Sequence, residues 1–153
     1  MIAQCLKSPA LIGITIAVIG ILPDSASGEC PKTWYAGSFT EAKIWGVPFD
    51  VDNIAPNSPE HIIKYPALEA QLTDLTTAWL VNTLMDARKG AQTPCDGECP
   101  RYGYYMVIRL FTFERKCQFT LWVRYGYLVD PDARVSYRLS EEGFTRIRLG
   151  GLL

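Results

Sequence analysis

Five cysteines, one histidine and a scatter of carboxylates are the residues in this 153-residue chain whose types could do covalent or acid–base chemistry. A thiol nucleophile needs a base, and the single histidine, His61, sits beside Pro59 and Glu60 at a helix start, with no cysteine near it in sequence. A metal centre needs a second spaced ligand pair, and Cys95-x3-Cys99 has none. Among carboxylates, Asp86 with Glu114 or Glu41 could serve as an acid–base pair, but their spacing does not bring them together. The chain also lacks a Gly-x-Ser-x-Gly elbow, a phosphate loop and a His-x-x-x-His pair. The expectation is a non-enzymatic protein with no cofactor and no metal. An enzyme using Asp86 as a base is the rival in that class.

Oxidised cysteines suit this chain better than reactive ones. Lys7, the apolar run Ala10 to Leu22, and the small residues Ala26 and Gly28 ahead of Glu29 have the layout of a secretory signal peptide. A bilayer-spanning helix needs about 20 apolar residues, more than this run supplies. Residues 1–28 are therefore read as a signal peptide carrying Cys5, and residues 29–153 as one secreted or periplasmic domain without a membrane span. That domain retains Cys30, Cys95, Cys99 and Cys117, an even count that favours disulfides in an oxidising compartment. Cys99 and Cys117 stand at opposite ends of a predicted strand, on the order of 40 Å apart at ~3.3 Å per residue. A disulfide needs Cα atoms within about 7 Å. The expected bridges are Cys30–Cys117 and Cys95–Cys99.

Binding residues are easier to find. Arg124, Arg134, Arg138, Arg146 and Arg148 alternate with apolar residues in predicted strands, and with Trp122 they would line the sheet face away from the helix. Arg and aromatic side chains dominate hot spots of protein interfaces. Tyr102, Tyr104, Tyr125 and Tyr127 would form a patch at the open end of a hairpin, beside Asp96 and Glu98 in the bridged Cys95–Cys99 loop. With 15 Lys and Arg against 16 Asp and Glu, the net charge of −1 gives no field to attract nucleic acid.

The elements that must carry these residues centre on Arg101 to Tyr127, RYGYYMVIRLFTFERKCQFTLWVRYGY, two aromatic and β-branched runs around Glu114-Arg115-Lys116. This predicts a long curved hairpin. Pairing Phe113 with Cys117 would set Tyr104 across from Gly126 and Gly103 across from Tyr127. Residues 33–51 read as one or two strands, the first an antiparallel neighbour of the Tyr104–Phe113 strand. Ser58 or Asn57 before Pro59 marks a helix start. From Pro66 to Lys89, Leu68, Leu72, Leu75 and Trp79 recur at helical spacing and predict one long helix with that stripe inward. Asn82 and Asp86 continue the stripe, so a polar-bottomed pocket between helix and sheet could take a small molecule or lipid. Strands are expected at Arg134 to Leu139, with Val135, Tyr137 and Leu139 inward, and at Phe144 to Leu149. The predicted fold is α+β: one long helix on a curved antiparallel sheet of about five strands, in the order β-α-β-β-β-β.

That order resembles the cystatin-like architecture, although the Gln-x-Val-x-Gly motif of the first cystatin hairpin is missing. The short Cys-bounded loop before a long hairpin is similar to the layout of periplasmic inhibitors of vertebrate lysozyme, whose loop carries Lys-Pro-His-Asp between its cysteines. This chain has Asp96-Gly97-Glu98 there. The resemblance implies a loop that plugs a partner's cleft. The leading expectation is a secreted or periplasmic protein-binding domain, an inhibitor or immunity-type protein. The alternative is a small-molecule or lipid carrier. The sequence names neither the partner nor the oligomeric state.

Overall fold

The computed structural model describes residues 29–48 and 57–150. The signal-peptide assignment to residues 1–28 lies outside the described residues. Among those described, seven strands form one antiparallel sheet: β1 (Glu41–Gly46), β2 (Leu68–Thr73), β3 (Gln92–Pro94), β4 (Tyr104–Phe111), β5 (Gln118–Arg124), β6 (Tyr127–Asp130) and β7 (Val135–Arg138). Their spatial order is β2-β1-β4-β5-β6-β7-β3. Three α-helices accompany them: α1 (Pro59–Lys64), α2 (Asp74–Ala87) and α3 (Glu141–Gly150). The α+β class holds; the single long helix and the five-strand count do not. No helix among the described residues is long and apolar enough to cross a membrane.

The hairpin forms as its composition dictates, with β4 central between β1 and β5. Its register differs by one residue from the expected pairing: Phe111 faces Gln118, and a bulge between Tyr104 and Met106 sets Tyr104 against Arg124. Tyr125-Gly126 is not strand at all. It is the two-residue turn into β6, made possible by Gly126 at φ +74°. The two Arg-Tyr-Gly-Tyr tetrads therefore do not face one another, because the second one closes a separate, shorter hairpin.

Two other segments change type, and in each a local cap marks where the helix begins. Leu68, Ala70 and Leu72 alternate with polar residues, and β2 pairs antiparallel with β1. The helix begins only after Thr73, whose N–H donates to Thr76 Oγ1 at 3.2 Å while the Thr76 hydroxyl donates back to the Thr73 carbonyl at 2.7 Å. Asp74 turns the corner at φ +49°, a conformation that Asp tolerates. At the other end, residues 144–149 are helical. Ser140 Oγ accepts from the Gly143 N–H at 3.0 Å, Glu141 and Glu142 occupy the first turn, and Glu142 pairs with Arg146 one turn on. Phe144 and Ile147, three apart, are the buried pair.

The starting residue of α2 also decides which face it buries. Leu80, Leu84 and Ala87 point into the core, joined by Thr77 and Thr83. Leu75 and Trp79, expected inward, are 85% and 46% exposed. The main core packs α2 and α3 on one sheet face, against Ile44, Ile108, Leu110, Leu121 and Leu128. Gly90 lets the chain leave α2 tight against β7, since a Cβ there would overlap the Arg138 carbonyl oxygen. Val135, Tyr137 and Leu139 are all buried, as their alternation predicts.

The opposite face is not an open polar surface. A second, smaller core of Trp45, Ile62, Tyr104, Val107 and Val129 lies there, with Cys95, Cys99 and Trp122 packed against it. It is roofed by α1, capped by Ser58 Oγ on the His61 N–H at 3.2 Å, and by the Cys95–Cys99 loop. Both bridges form as expected: Cys30–Cys117 has Cα atoms 5.5 Å apart and Cys95–Cys99 4.9 Å. The first ties the amino-terminal segment to the far tip of the hairpin, 87 residues away in sequence.

Candidate binding site

Three loops converge over Tyr104 and Trp122. The lead into α1 docks on β4 through the Tyr104 N–H, which donates to the Asn57 carbonyl at 3.2 Å. The disulfide ring docks on the β6–β7 turn through the Cys95 N–H, which donates to the Arg134 carbonyl at 2.9 Å. The Tyr104 hydroxyl then donates to the Pro100 carbonyl at 2.5 Å, fixing the ring's exit to the sheet. Tyr104 is fully buried, and that burial pushes its phenol up to about 12. Trp122 meets its ring edge-on at 5.3 Å.

Between these loops lies a hollow of about 480 Å³. Trp122 and the prolines 59, 100 and 131 supply its apolar surface; Glu60, Glu98, Arg101, Tyr102 and Arg134 supply its polar groups. Arg101 pairs with Glu98 at 2.8 Å and holds the Glu98 carboxyl below its usual range. Arg134 sits at φ +54° at the turn. A smaller hollow of about 300 Å³ adjoins it across Pro100, lined by Arg124 and Tyr127, with Arg124 lying 6.0 Å over the Tyr104 ring. An aromatic surface beside balanced charges can hold a protein side chain or a polar small molecule.

Of the expected contact residues, Glu98, Tyr102, Trp122, Arg124 and Tyr127 are brought together around Pro100. Asp96 is exposed on the ring. Tyr104 belongs to the core beneath, not to the surface. Tyr125 packs edge-on against Phe144 at 5.6 Å, away from the ring. Arg138 borders separate hollows beside α3, while Arg146 and Arg148 lie on α3 itself, because residues 144–149 are helix rather than strand. They are not part of an arginine-lined sheet face. Arg134, expected on an arginine-lined sheet face, lines the hollow from the β6–β7 turn instead, while Glu60, Pro100 and Arg101 were missed as site residues. Each sits in a segment read only as a helix start, loop or strand, and no local pattern marks their convergence.

The residues weighed for chemistry are dispersed among separate ion pairs. Asp86 is held low by Lys89 at 2.6 Å, Glu41 pairs with Arg115, and Glu114 pairs with Lys116. Asn82 and Asp86 are both exposed on α2, where Leu80 and Leu84 take the side toward the sheet, and Asp86 borders a hollow of about 470 Å³ with Arg138 and the first turn of α3. His61 is exposed, tilted against Tyr65 at 5.2 Å. No group of three or more His, Cys, Asp or Glu suited to a metal occurs among the described residues.

Fold and site together define an α+β domain with a seven-stranded antiparallel sheet, two disulfides and a mixed-charge hollow beside a disulfide ring. Two disulfides are compatible with a secreted protein. The chain matches no protein-family model, no curated protein and no solved structure.

Proposed function

We propose that this is a secreted or periplasmic protein-binding domain, an inhibitor or immunity-type protein, whose contact surface is the hollow beside the disulfide ring. One observation carries the reading: Glu98, Arg101 and Tyr102 ride on or next to a covalently closed ring that is hydrogen-bonded to the sheet, and they share one recess with Trp122. Such a surface is ordered before it meets a partner, which lowers the entropic cost of docking. Trp122 is the expected hot spot, with Tyr102 and Arg101 at its rim. Secretion rests on the amino-terminal pattern together with the paired cysteines.

Affinity capture from a native extracellular or periplasmic fraction tests this, using the wild type beside Trp122→Ala and Arg101→Ala. The expected result is a specific partner whose affinity falls more than about 30-fold with Trp122→Ala, the scale of a hot-spot residue. A partner whose affinity is indifferent to both changes excludes this surface. The carrier reading moves to the same hollow, whose volume of about 480 Å³ falls in the range of small-molecule sites. Native mass spectrometry separates the two. A retained small ligand displaced by Trp122→Ala supports carriage, and an empty domain that captures a protein supports the first.

A further inference from the structure

Among the described residues the sheet ends at β2 on one side, where β2 pairs only with β1. The hydrogen-bond parity says which backbone groups are left. The Val47 N–H donates to the Tyr105 carbonyl, so odd-numbered residues of β1 bond toward β4 and even-numbered ones toward β2. Their partners on β2 are Leu68, Ala70 and Leu72. The N–H and C=O groups of Glu69 and Gln71 therefore point away from the sheet. This edge lacks the usual protections: it holds no proline, and its one charged residue, Glu69, is already neutralised by Lys43 at 2.7 Å.

We propose that this edge pairs with the same edge of a second copy, β2 against β2 in antiparallel fashion, about a two-fold axis through Ala70. Only outward-facing residues can exchange backbone bonds, so the axis falls on Glu69, Ala70 or Gln71, and an axis on Gln71 would set Glu69 opposite Thr73, whose N–H and carbonyl are already bonded to Thr76. A two-fold at Ala70 pairs Glu69 of one copy with Gln71 of the other, and the reverse, which sets a carboxylate beside an amide donor. Centring instead on Glu69 would set two carboxylates against each other. The same two-fold brings Leu68 beside Leu72 of the second copy on the opposite face. It also keeps both α2 helices on one side of the joined sheet, where Leu75 and Trp79 are exposed. The interface is isologous and closes on itself, so it makes dimers rather than fibres.

Ala70 and its symmetry mate form a non-hydrogen-bonded pair with Cα atoms about 4.5 Å apart, close enough for a disulfide. In a Cys5→Ser background with both native bridges intact, Ala70→Cys should oxidise quickly to a covalent dimer. Glu69→Cys, whose mate is Gln71, should not. Light scattering should give twice the chain mass for the wild type at about 100 µM, a concentration that reveals even weak association. Gln71→Pro removes the outward N–H together with the Gln71 side-chain bond to Glu41, leaves the backbone bonds to β1 in place, and should weaken dimerisation at least about tenfold, with Gln71→Ala as the control for the side chain. A monomeric wild type, equal oxidation of the two cysteine variants, or full dimerisation of folded Gln71→Pro would each overturn the proposal.

Discussion

The Tyr104 hydroxyl reaches the Pro100 carbonyl at 2.5 Å, and through it the buried core under β4 holds the exit of the disulfide ring. The ring's exit is thus held by a sheet residue, while its entry is held by the Cys95 N–H on the Arg134 carbonyl. This relationship makes Tyr104 a support of the candidate site although it touches nothing in solvent.

Raising the pH should break that support. Burial lifts the Tyr104 phenol to about 12, against about 10 in an unfolded chain. A raised pKa means the folded state holds the neutral phenol, so its contribution is complete below pH ~10 and is lost as pH climbs through the folded value. Roughly 2–3 kcal/mol of stability should disappear across that window. Tyrosinate absorbance followed alongside thermal melts checks this, and Tyr104→Phe should flatten the alkaline fall.

The opposite sign is expected at Glu41. Its carboxylate accepts from Arg115 Nε at 2.8 Å and from Gln71 Nε2 at 2.6 Å, and Arg115 chiefly lowers its pKa. A depressed carboxyl stabilises above the unfolded value and loses that contribution as pH falls through the folded one. Glu41→Gln should lower the melting temperature at neutral pH, with the gap closing in acid. A gap that is independent of pH would remove the ion pair as its cause.

The two disulfides should differ in weight. Cys30–Cys117 closes 87 residues, which loop entropy values at about 4–5 kcal/mol, whereas Cys95–Cys99, with a separation of 4, is worth about 2 kcal/mol. Urea unfolding of the paired Cys→Ser variants measures both. The ring variant should stay folded yet lose affinity for the partner.

Two leucines on α2 test which side faces the core. Leu80→Ala should cost about 2–5 kcal/mol, as expected for a fully buried leucine. Leu75→Ala should stay within about 0.5 kcal/mol, since Leu75 is 85% exposed. Chemical denaturation of both variants reads the difference directly.

Much of this architecture was legible in order along the chain. The aromatic and β-branched runs define β4 and β5, the alternation Val135, Tyr137, Leu139 defines β7, and Ser58-Pro59 starts α1. Strand length kept Cys99 away from Cys117, which removed one of the three possible pairings, and the expected pair of bridges is the one that forms. These features rest on local stiffness, side-chain alternation and chain reach, which need no knowledge of the rest of the fold. Tertiary structure decided the remainder. Leu68 and Leu72, four apart, satisfy both a strand period and a helix period, while Ile147 suits a strand with Leu149 and a helix with Phe144, so pairing with β1 and packing of α3 on α2 chose between them. The Thr73 and Ser140 caps then fixed where each helix begins, and with it the face that α2 buries. The hollow itself was invisible beforehand. It is lined from α1, the ring, β5 and the β6–β7 turn, and only the assembled sheet brings those distant segments within reach of one another.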